Sequence, residues 1–505
     1  MERREYNTLI DKFKKRIAVD LDKGCYEQAM MELSPIVRIM HTVNDRLYDD
    51  DIEKYLMALI KAFANESTNY GQNVLFYDSI FSDSTVLSRQ YLQALIDLNI
   101  KFIYLVKSHV ENDDSKDLIG MAQSCENCTF LILKGNSNVE RVEEIRKIIK
   151  EYWIGKVLIQ SLSFDIAALV AFAGCENIQT FYINHMDDQF WIGSQCFNYY
   201  LNFSETVQEI CIRERNIPRD KCVIHKYYPY IKEHSFMGMP FEYGNDQVVI
   251  FSGGRFTKIV DGENTYLNLV KRMLQENPKA IFLYAGSGDS TYMTRFIKDE
   301  PFLRERWHVI PYRSDLYELL QHVDLYLGTY PIKGGLMTLY AAYAGVPILE
   351  LDDFTGFRSE ELFTNPDAVK ITYGRQEDLR KRAKILIDNK SERENVKKTY
   401  CDYLPDKERF CKKLLAILKG ATEERINDLS TDLNAEKLLH HYANTFESER
   451  KTIAKLLVHT AILRIYPTLF FKNLVDFFRY TDQTAMKLYF RKVLIKFGSR
   501  RNICR

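Results

Sequence analysis

Two short stretches of this chain carry residue types suited to holding phosphate. Ser252-Gly253-Gly254-Arg255-Phe256-Thr257-Lys258 combines glycines, which let backbone approach a ligand, with two cations three residues apart. It follows the apolar run 248–251, whose length and β-branched content predict a buried parallel strand. Lys333-Gly334-Gly335-Leu336-Met337-Thr338 follows a second strand-like run, 324–328, and opens a helix that ends at Ala344-Gly345-Val346-Pro347. A helix start offers unpaired N–H groups and partial positive charge, so it suits a diphosphate. Together the two stretches predict a domain that holds a nucleoside diphosphate through backbone, Arg255 and Lys258.

Three further clusters sit at predicted strand ends. In Val309-Ile310-Pro311-Tyr312-Arg313-Ser314-Asp315, Ser314 or Asp315 is placed to cap a helix, and Arg313 to reach a base. Tyr284-Ala285-Gly286-Ser287-Gly288-Asp289 reads as a turn needing glycine dihedrals. In the N-terminal half, Ile183 to Gly193 is dense in polar and aromatic residues. His185 there has the titration range of a general base or a structural histidine. Asp187 and Asp188 are candidates for acceptor contact or helix capping. Asp49-Asp50-Asp51 lies in a helical stretch away from any strand end and is set aside as a metal motif. Cys125 and Cys128 form the one close cysteine pair of ten, without a second ligand pair nearby, so reduced thiols are expected.

The elements that position these residues fall into four segments. Residues 1–68 are helical, with apolar spacing such as Leu9, Phe13 and Ile17, and predict a packed helical extension. From 69 to 240, apolar runs at 74–77, 102–106, 130–133, 157–160 and 180–183 alternate with helical stretches such as 85–98 and 138–151. From 241 to 419 the alternation restarts, with strands at 247–251, 280–285, 308–311, 324–328, 346–351 and 369–372. Such alternation predicts two doubly wound parallel sheets, an α/β fold with ligands at the C-terminal ends of the strands. Pro229, Gly238, Pro240 and Gly244 mark the link between them.

The last segment, 420–505, is helical and basic. Residues 451–505 hold twelve Lys/Arg against two Asp, although the whole chain has net charge zero. That neutrality argues against a general nucleic-acid binder. The apolar residues of 451–478 either pack on the α/β domains or dock on an anionic membrane surface. No secretory leader and no membrane-spanning run is read from the sequence, so a cytoplasmic chain is expected, with peripheral contact at the inner membrane face through 451–505.

The C-terminal half resembles the donor domain of GT-B glycosyltransferases. More narrowly, it is similar to the inverting group that contains O-linked N-acetylglucosamine transferase and the bacterial adhesin N-glycosyltransferases. The residues carrying the resemblance are Phe251 to Ile259, Arg313, and Tyr326-Leu327-Gly328-Thr329-Tyr330-Pro331 through Gly345-Val346-Pro347. In that likeness Lys258 stands at a diphosphate-binding lysine and Arg313 at a lysine near the uridine. Ser161–Asp165 to Asn184-His185 looks like the segment that places a cleft histidine. Two positions depart from the pattern: Tyr340 stands where many such domains carry an acid, and Gly335 where eukaryotic relatives carry a polar residue or histidine. The resemblance implies two Rossmann-like domains facing across a cleft, and no cofactor beyond a UDP-sugar as co-substrate. The expected donor site is Gly253, Gly254, Arg255, Lys258, Arg313 and Gly334 to Thr338. His185 and Lys258 are the catalytic candidates, and no metal is expected. The implied activity is bacterial sugar transfer to a polysaccharide, lipid-linked or protein acceptor. A catalytically silent partner of another transferase and a sugar-nucleotide epimerase are the alternatives.

Overall fold

The computed structural model describes residues 3–64, 71–83, 85–107, 115–175, 177–186, 189–232, 234–353, 356–363, 369–400, 403–421, 439 and 450–480. Two parallel sheets organise it. The first runs β3-β2-β1-β4-β5-β6-β7. Its strands are β1 (Asn73–Asp78), β2 (Phe102–Val106), β3 (Cys128–Ile132), β4 (Ile154–Gln160), β5 (Gln179–Ile183), β6 (Tyr199–Asn202) and β7 (Cys222–Ile224). The second runs β10-β9-β8-β11-β12-β13. It contains β8 (Val248–Arg255), β9 (Ala280–Ser287), β10 (Trp307–Pro311), β11 (Leu325–Leu327), β12 (Ile348–Leu351) and β13 (Thr372–Tyr373). Strand order reverses beside β1 in one sheet and beside β8 in the other, the crevice where open α/β sheets take ligands.

The strands expected from apolar runs form, except that the last, expected at 369–372, is reduced to the two residues Thr372–Tyr373. β6 and β7 are additions: Tyr199-Tyr200-Leu201-Asn202 is too polar, and Cys222-Val223-Ile224 too short, to stand out as apolar runs. The expected helix at 138–151 forms behind a capping box in which Ser137 and Glu140 satisfy each other's backbone N–H groups.

The N-terminal helices Arg3–Asp22, Tyr26–Val43 and Asp50–Ala62 are more than an extension. Leu9, Phe13, Ile17, Leu33 and Leu56 share one core with Leu75, Tyr77 and Ile159 of the first sheet. Asp49 caps the third helix by accepting from Ile52 N at 3.2 Å, which accounts for one acid of the Asp49–Asp51 run. The opposite face of that sheet is covered by a helix from far along the chain, Lys407–Leu418, through Phe410, Leu414 and Ile417. His225 joins this helix to the sheet: its Nε2 donates to Phe410 O (3.1 Å) and its Nδ1 accepts from Tyr91 Oη (2.7 Å). Burial pushes His225 down to about 4.

The described part of the basic tail, helices Arg450–Leu457, Thr460–Ile465 and Pro467–Tyr480, corrects the membrane expectation for those residues. Leu457, Ile462, Leu469, Phe470 and Phe477 are buried in the same core as the N-terminal helices, where apolar area removed from water already stabilises the fold. Lys472 pairs with Glu5, and Arg464 lies 3.6 Å from the buried Glu32. The tail packs on the N-terminal helical layer, not across both α/β units. Among the described residues no helix is long and apolar enough to cross a membrane.

Candidate functional site

The two phosphate-suited loops meet. β8 continues to Arg255 and is followed by a single turn, Phe256–Ile259. Lys258 O accepts from Ile332 N (3.2 Å), and Lys258 Nζ donates to Lys333 O (3.0 Å). One lysine thus clamps the first loop to the second at both its backbone and its side chain. Gly254 has φ +146°, a region closed to residues with a Cβ, and it leaves the strand end beside Lys258 and Thr329. Gly253 serves sheet packing instead: a Cβ there would stand 3.0 Å from Ala285 O. Arg255 ends the strand exposed, in register with Ser287.

Gly334 is the N-cap of the helix Gly335–Tyr343. It carries no side-chain cap, so nothing of its own side chain covers the first N–H groups. Leu336 and Met337 lie partly buried in the first turn. A Cβ at Gly335 would come within 2.7 Å of Tyr227 Oη, so this glycine admits a linker hydroxyl against the helix start. Thr338 departs from the expected role. It is fully buried, and its hydroxyl lies between Glu350 Oε1 (2.5 Å) and Gly334 O (3.3 Å), both acceptors, so it is engaged within the protein.

Arg313 also has a different employment. It is 9% exposed and donates from Nε and Nη2 to Asp315 (2.8 and 2.5 Å) and from Nη1 to Gly238 O (2.8 Å). Both edges of the guanidinium hold protein, so the structure makes Arg313 a clasp on the linker between the units rather than a group extended toward a base. Asp315 stands at a helix N-cap but does not cap it with its side chain; Oδ2 accepts from Met237 N at 2.8 Å. Tyr340, at the departure from the acidic pattern, donates to Tyr230 O (2.5 Å), a second clasp on the same linker.

On the other unit, His185 follows β5 and is partly exposed. A carbonyl only accepts, so the 3.2 Å contact with Ile183 O makes Nδ1 the protonated nitrogen and leaves Nε2 as an acceptor. Burial first, and the nearby His41 in addition, hold His185 down at about 4. The imidazole is therefore neutral near pH 7. Asp187 and Asp188 lie outside the described residues.

The C-terminal strand ends of the two units touch. Phe203, just beyond β6, and Tyr227, beyond β7, pack against the core of the second unit. Glu361 of the second unit accepts from Thr206 N (2.9 Å) and Oγ1 (2.8 Å) of the first. The sequence reading missed Glu361, Glu350 and Asp352. Glu350 did leave a signal, an acid inside the apolar run Ile348-Leu349-Glu350-Leu351.

No protein-family model matches the sequence, and no curated protein matches it. Solved structures do. A variant of the Thermobaculum terrenum O-GlcNAc transferase superposes with a TM-score of 0.50 at 12% identity, over 88% of this chain and 84% of that one. Anabaena HepE in complex with UDP gives 0.51 at 10% identity, over 69% and 99%. A variant of S. aureus TarM in complex with fondaparinux, alpha-GlcNAc-glycerol and UDP gives 0.50 at 9% identity, over 69% and 100%. At these identities the likeness is one of fold: two parallel α/β units in the GT-B arrangement of glycosyltransferases.

Proposed function

We propose that this chain is a glycosyltransferase that takes a sugar from a nucleoside diphosphate donor, a UDP-sugar, and delivers it to a glycan, lipid-linked or protein acceptor. The observation that carries this reading is the Lys258 clamp, which brings a glycine turn, two cations and a helix start to the C-terminal ends of β8 and β11. The UDP bound in the Anabaena HepE structure supports the choice of nucleotide.

In this reading, attack at the anomeric carbon expels the diphosphate. Arg255, Lys258 and the N–H groups at the start of the Gly335–Tyr343 helix stabilise the charge that develops on it. These groups supply the compensation without a divalent ion. His185 Nε2 receives the acceptor hydroxyl. At about 4 its basicity is low for a general base working near neutrality, so it orients the hydroxyl and takes its proton late, as charge develops. The bonds Arg313 and Tyr340 make to the linker favour a second reading, a catalytically silent GT-B partner whose nucleotide loop is structural.

Calorimetry with UDP, GDP, dTDP and uridine, followed by a donor-hydrolysis assay with and without EDTA, tests the proposal. Tight UDP binding, weak uridine binding and EDTA-resistant hydrolysis are expected. Binding without any turnover would remove the transferase reading, and no diphosphate binding would leave only the silent reading, in which the loop is structural. Peripheral contact with an anionic inner leaflet is proposed only for the basic residues beyond Tyr480. Sedimentation with anionic vesicles at low salt, compared between the full chain and one ended at Tyr480, decides it.

A further inference from the structure

Glu350, in β12, is 1% exposed and accepts from two hydroxyls, Thr338 Oγ1 at 2.5 Å and Ser359 Oγ. Its Cγ occupies the space beside Gly328, where a Cβ would stand 2.6 Å away. Lys333 Nζ lies 3.9 Å from the same carboxylate and 2.9 Å from Asp352 Oδ2. Both ends of the Lys333–Thr338 stretch are therefore held by acids at the end of one strand, while Lys258 grips the carbonyl of Lys333. A carboxyl group this deep cannot lose its donors cheaply, because no water replaces the bonds it would leave unmade. Thr338, Ser359 and Lys333 are held where they are by that penalty.

Ser359 opens the single turn Ser359–Leu362, and the next two residues are tied as firmly in other directions. Glu360 accepts from Ile371 N and Thr372 N, each at 2.8 Å, at the entry to β13. Glu361 accepts from Thr206 in the first turn of the helix Glu205–Glu214, which belongs to the other α/β unit. Lys226 reinforces that contact, donating to Glu361 O (2.6 Å) and pairing with Glu205 (3.0 Å). Three consecutive residues thus join the loop that Glu350 shapes, the sheet edge and the neighbouring unit.

We propose that Glu350 is a positioning residue for the diphosphate loop, and that the Ser359-Glu360-Glu361 turn makes its grip depend on the contact between the two α/β units. The proposal rests on reading Lys333–Thr338 as the diphosphate loop. If Thr206 withdraws, Glu361 loses partners from the other unit, the short turn can shift, and Ser359 leaves Glu350. Glu350 then loses one of its two hydroxyl donors, and its hold on Thr338 at the far end of the loop slackens. Coupling of this kind is reciprocal, so bound diphosphate in turn strengthens the contact between the units.

The test uses the full chain, with UDP and uridine as calorimetric probes. Thr206→Val removes a hydroxyl in the unit that does not hold the donor. It is expected to raise the UDP Kd about 3- to 10-fold, with uridine unmoved, in the range measured for coupling through side-chain networks. Thr206→Ser, which keeps the hydroxyl, should restore wild-type affinity. Glu350→Gln should weaken UDP alone as well, and the double variant should lose less than the product of the two singles. Unchanged UDP affinity in Thr206→Val, or full additivity with Glu350→Gln, overturns the coupling. Should Glu350→Gln fail to fold, Thr206→Val against Thr206→Ser decides by itself. A wild-type chain that binds no UDP, GDP or dTDP would instead sink the donor reading beneath it.

Discussion

The two α/β units solve the same packing problem with different parts of the chain. The second unit builds its core from residues 248–400, with Phe203 and Tyr227 of the first unit packed against it. The first is enclosed by segments drawn from both extremes: helices within 3–62 and 450–480 on one face, and Lys407–Leu418 on the other. The Lys258 side is thus locally encoded, whereas the His185 side rests on a scaffold completed by remote sequence. Local encoding makes a site vulnerable one side chain at a time; remote completion makes it vulnerable to loss of a whole segment.

Ending the chain at residue 449 should have the largest effect. Leu457, Ile462, Leu469, Phe470 and Phe477 leave the core, and each large apolar side chain contributes about 1.5–3 kcal/mol of burial. A loss above about 5 kcal/mol is expected in the first unit, while UDP affinity falls no further than the roughly 3- to 10-fold that losing the Glu361–Thr206 contact brings. Protease mapping of the two units alongside calorimetry checks this; equal damage to both units would erase the contrast. Next comes His185→Ala, which should lower kcat about 10²- to 10⁴-fold while UDP affinity stays near wild type. Unchanged turnover would return His185 to a purely structural place at the end of β5.

Lys258→Ala tests the local side of the comparison. Loss of a charge-assisted bond to diphosphate should weaken UDP binding by about 1–3 kcal/mol and leave uridine almost unaffected. Equal losses for both ligands would mean that the clamp shapes the whole domain instead of meeting phosphate. The smallest effect concerns acid. His225 is held below the unfolded value of about 6.5, so the folded state binds fewer protons than the unfolded one between about pH 6.5 and 4. Its contribution is complete above that window and is lost as pH falls through it, with a slope of at most about 1.4 kcal/mol per pH unit. Urea titrations from pH 7 to 4 should show a shallower acid slope in His225→Phe than in wild type; identical slopes would exclude His225 as a source of acid sensitivity.

The same contrast governs what could be read from sequence. Strands β8 to β12 announce themselves as apolar runs ending in glycine or polar turns, and both phosphate-suited loops sit where those runs stop. Arg313 was hard to place because a cation after a strand carries no mark of its partner; Asp315, two residues on, accepts from its Nε and Nη2, and Gly238 O from its Nη1. The Glu361–Thr206 contact spans 155 positions, and no local pattern encodes a bond of that reach. Glu350 was legible in principle, since an acid amid isoleucine and leucines needs donors wherever it is buried. The tail left two readings open. Its phenylalanines and lysines read equally as a membrane face or a packing face, and only the position of the N-terminal helices tells them apart.

That packing also sets an order of events during synthesis. The helices Arg3–Asp22 and Tyr26–Val43 leave the ribosome well ahead of Leu457, Ile462 and Phe470, with which they share a core. At about 5–20 residues per second, roughly 20–90 s separate the two. Over that interval the N-terminal helices carry an uncovered apolar surface, while the donor unit between them has all of its own residues and can fold ahead. A growing chain of this design therefore calls for a chaperone that holds the helices within 3–62 until residues 450–480 emerge, and a ribosome stalled past residue 420 would leave a finished second α/β unit attached to an aggregation-prone first one.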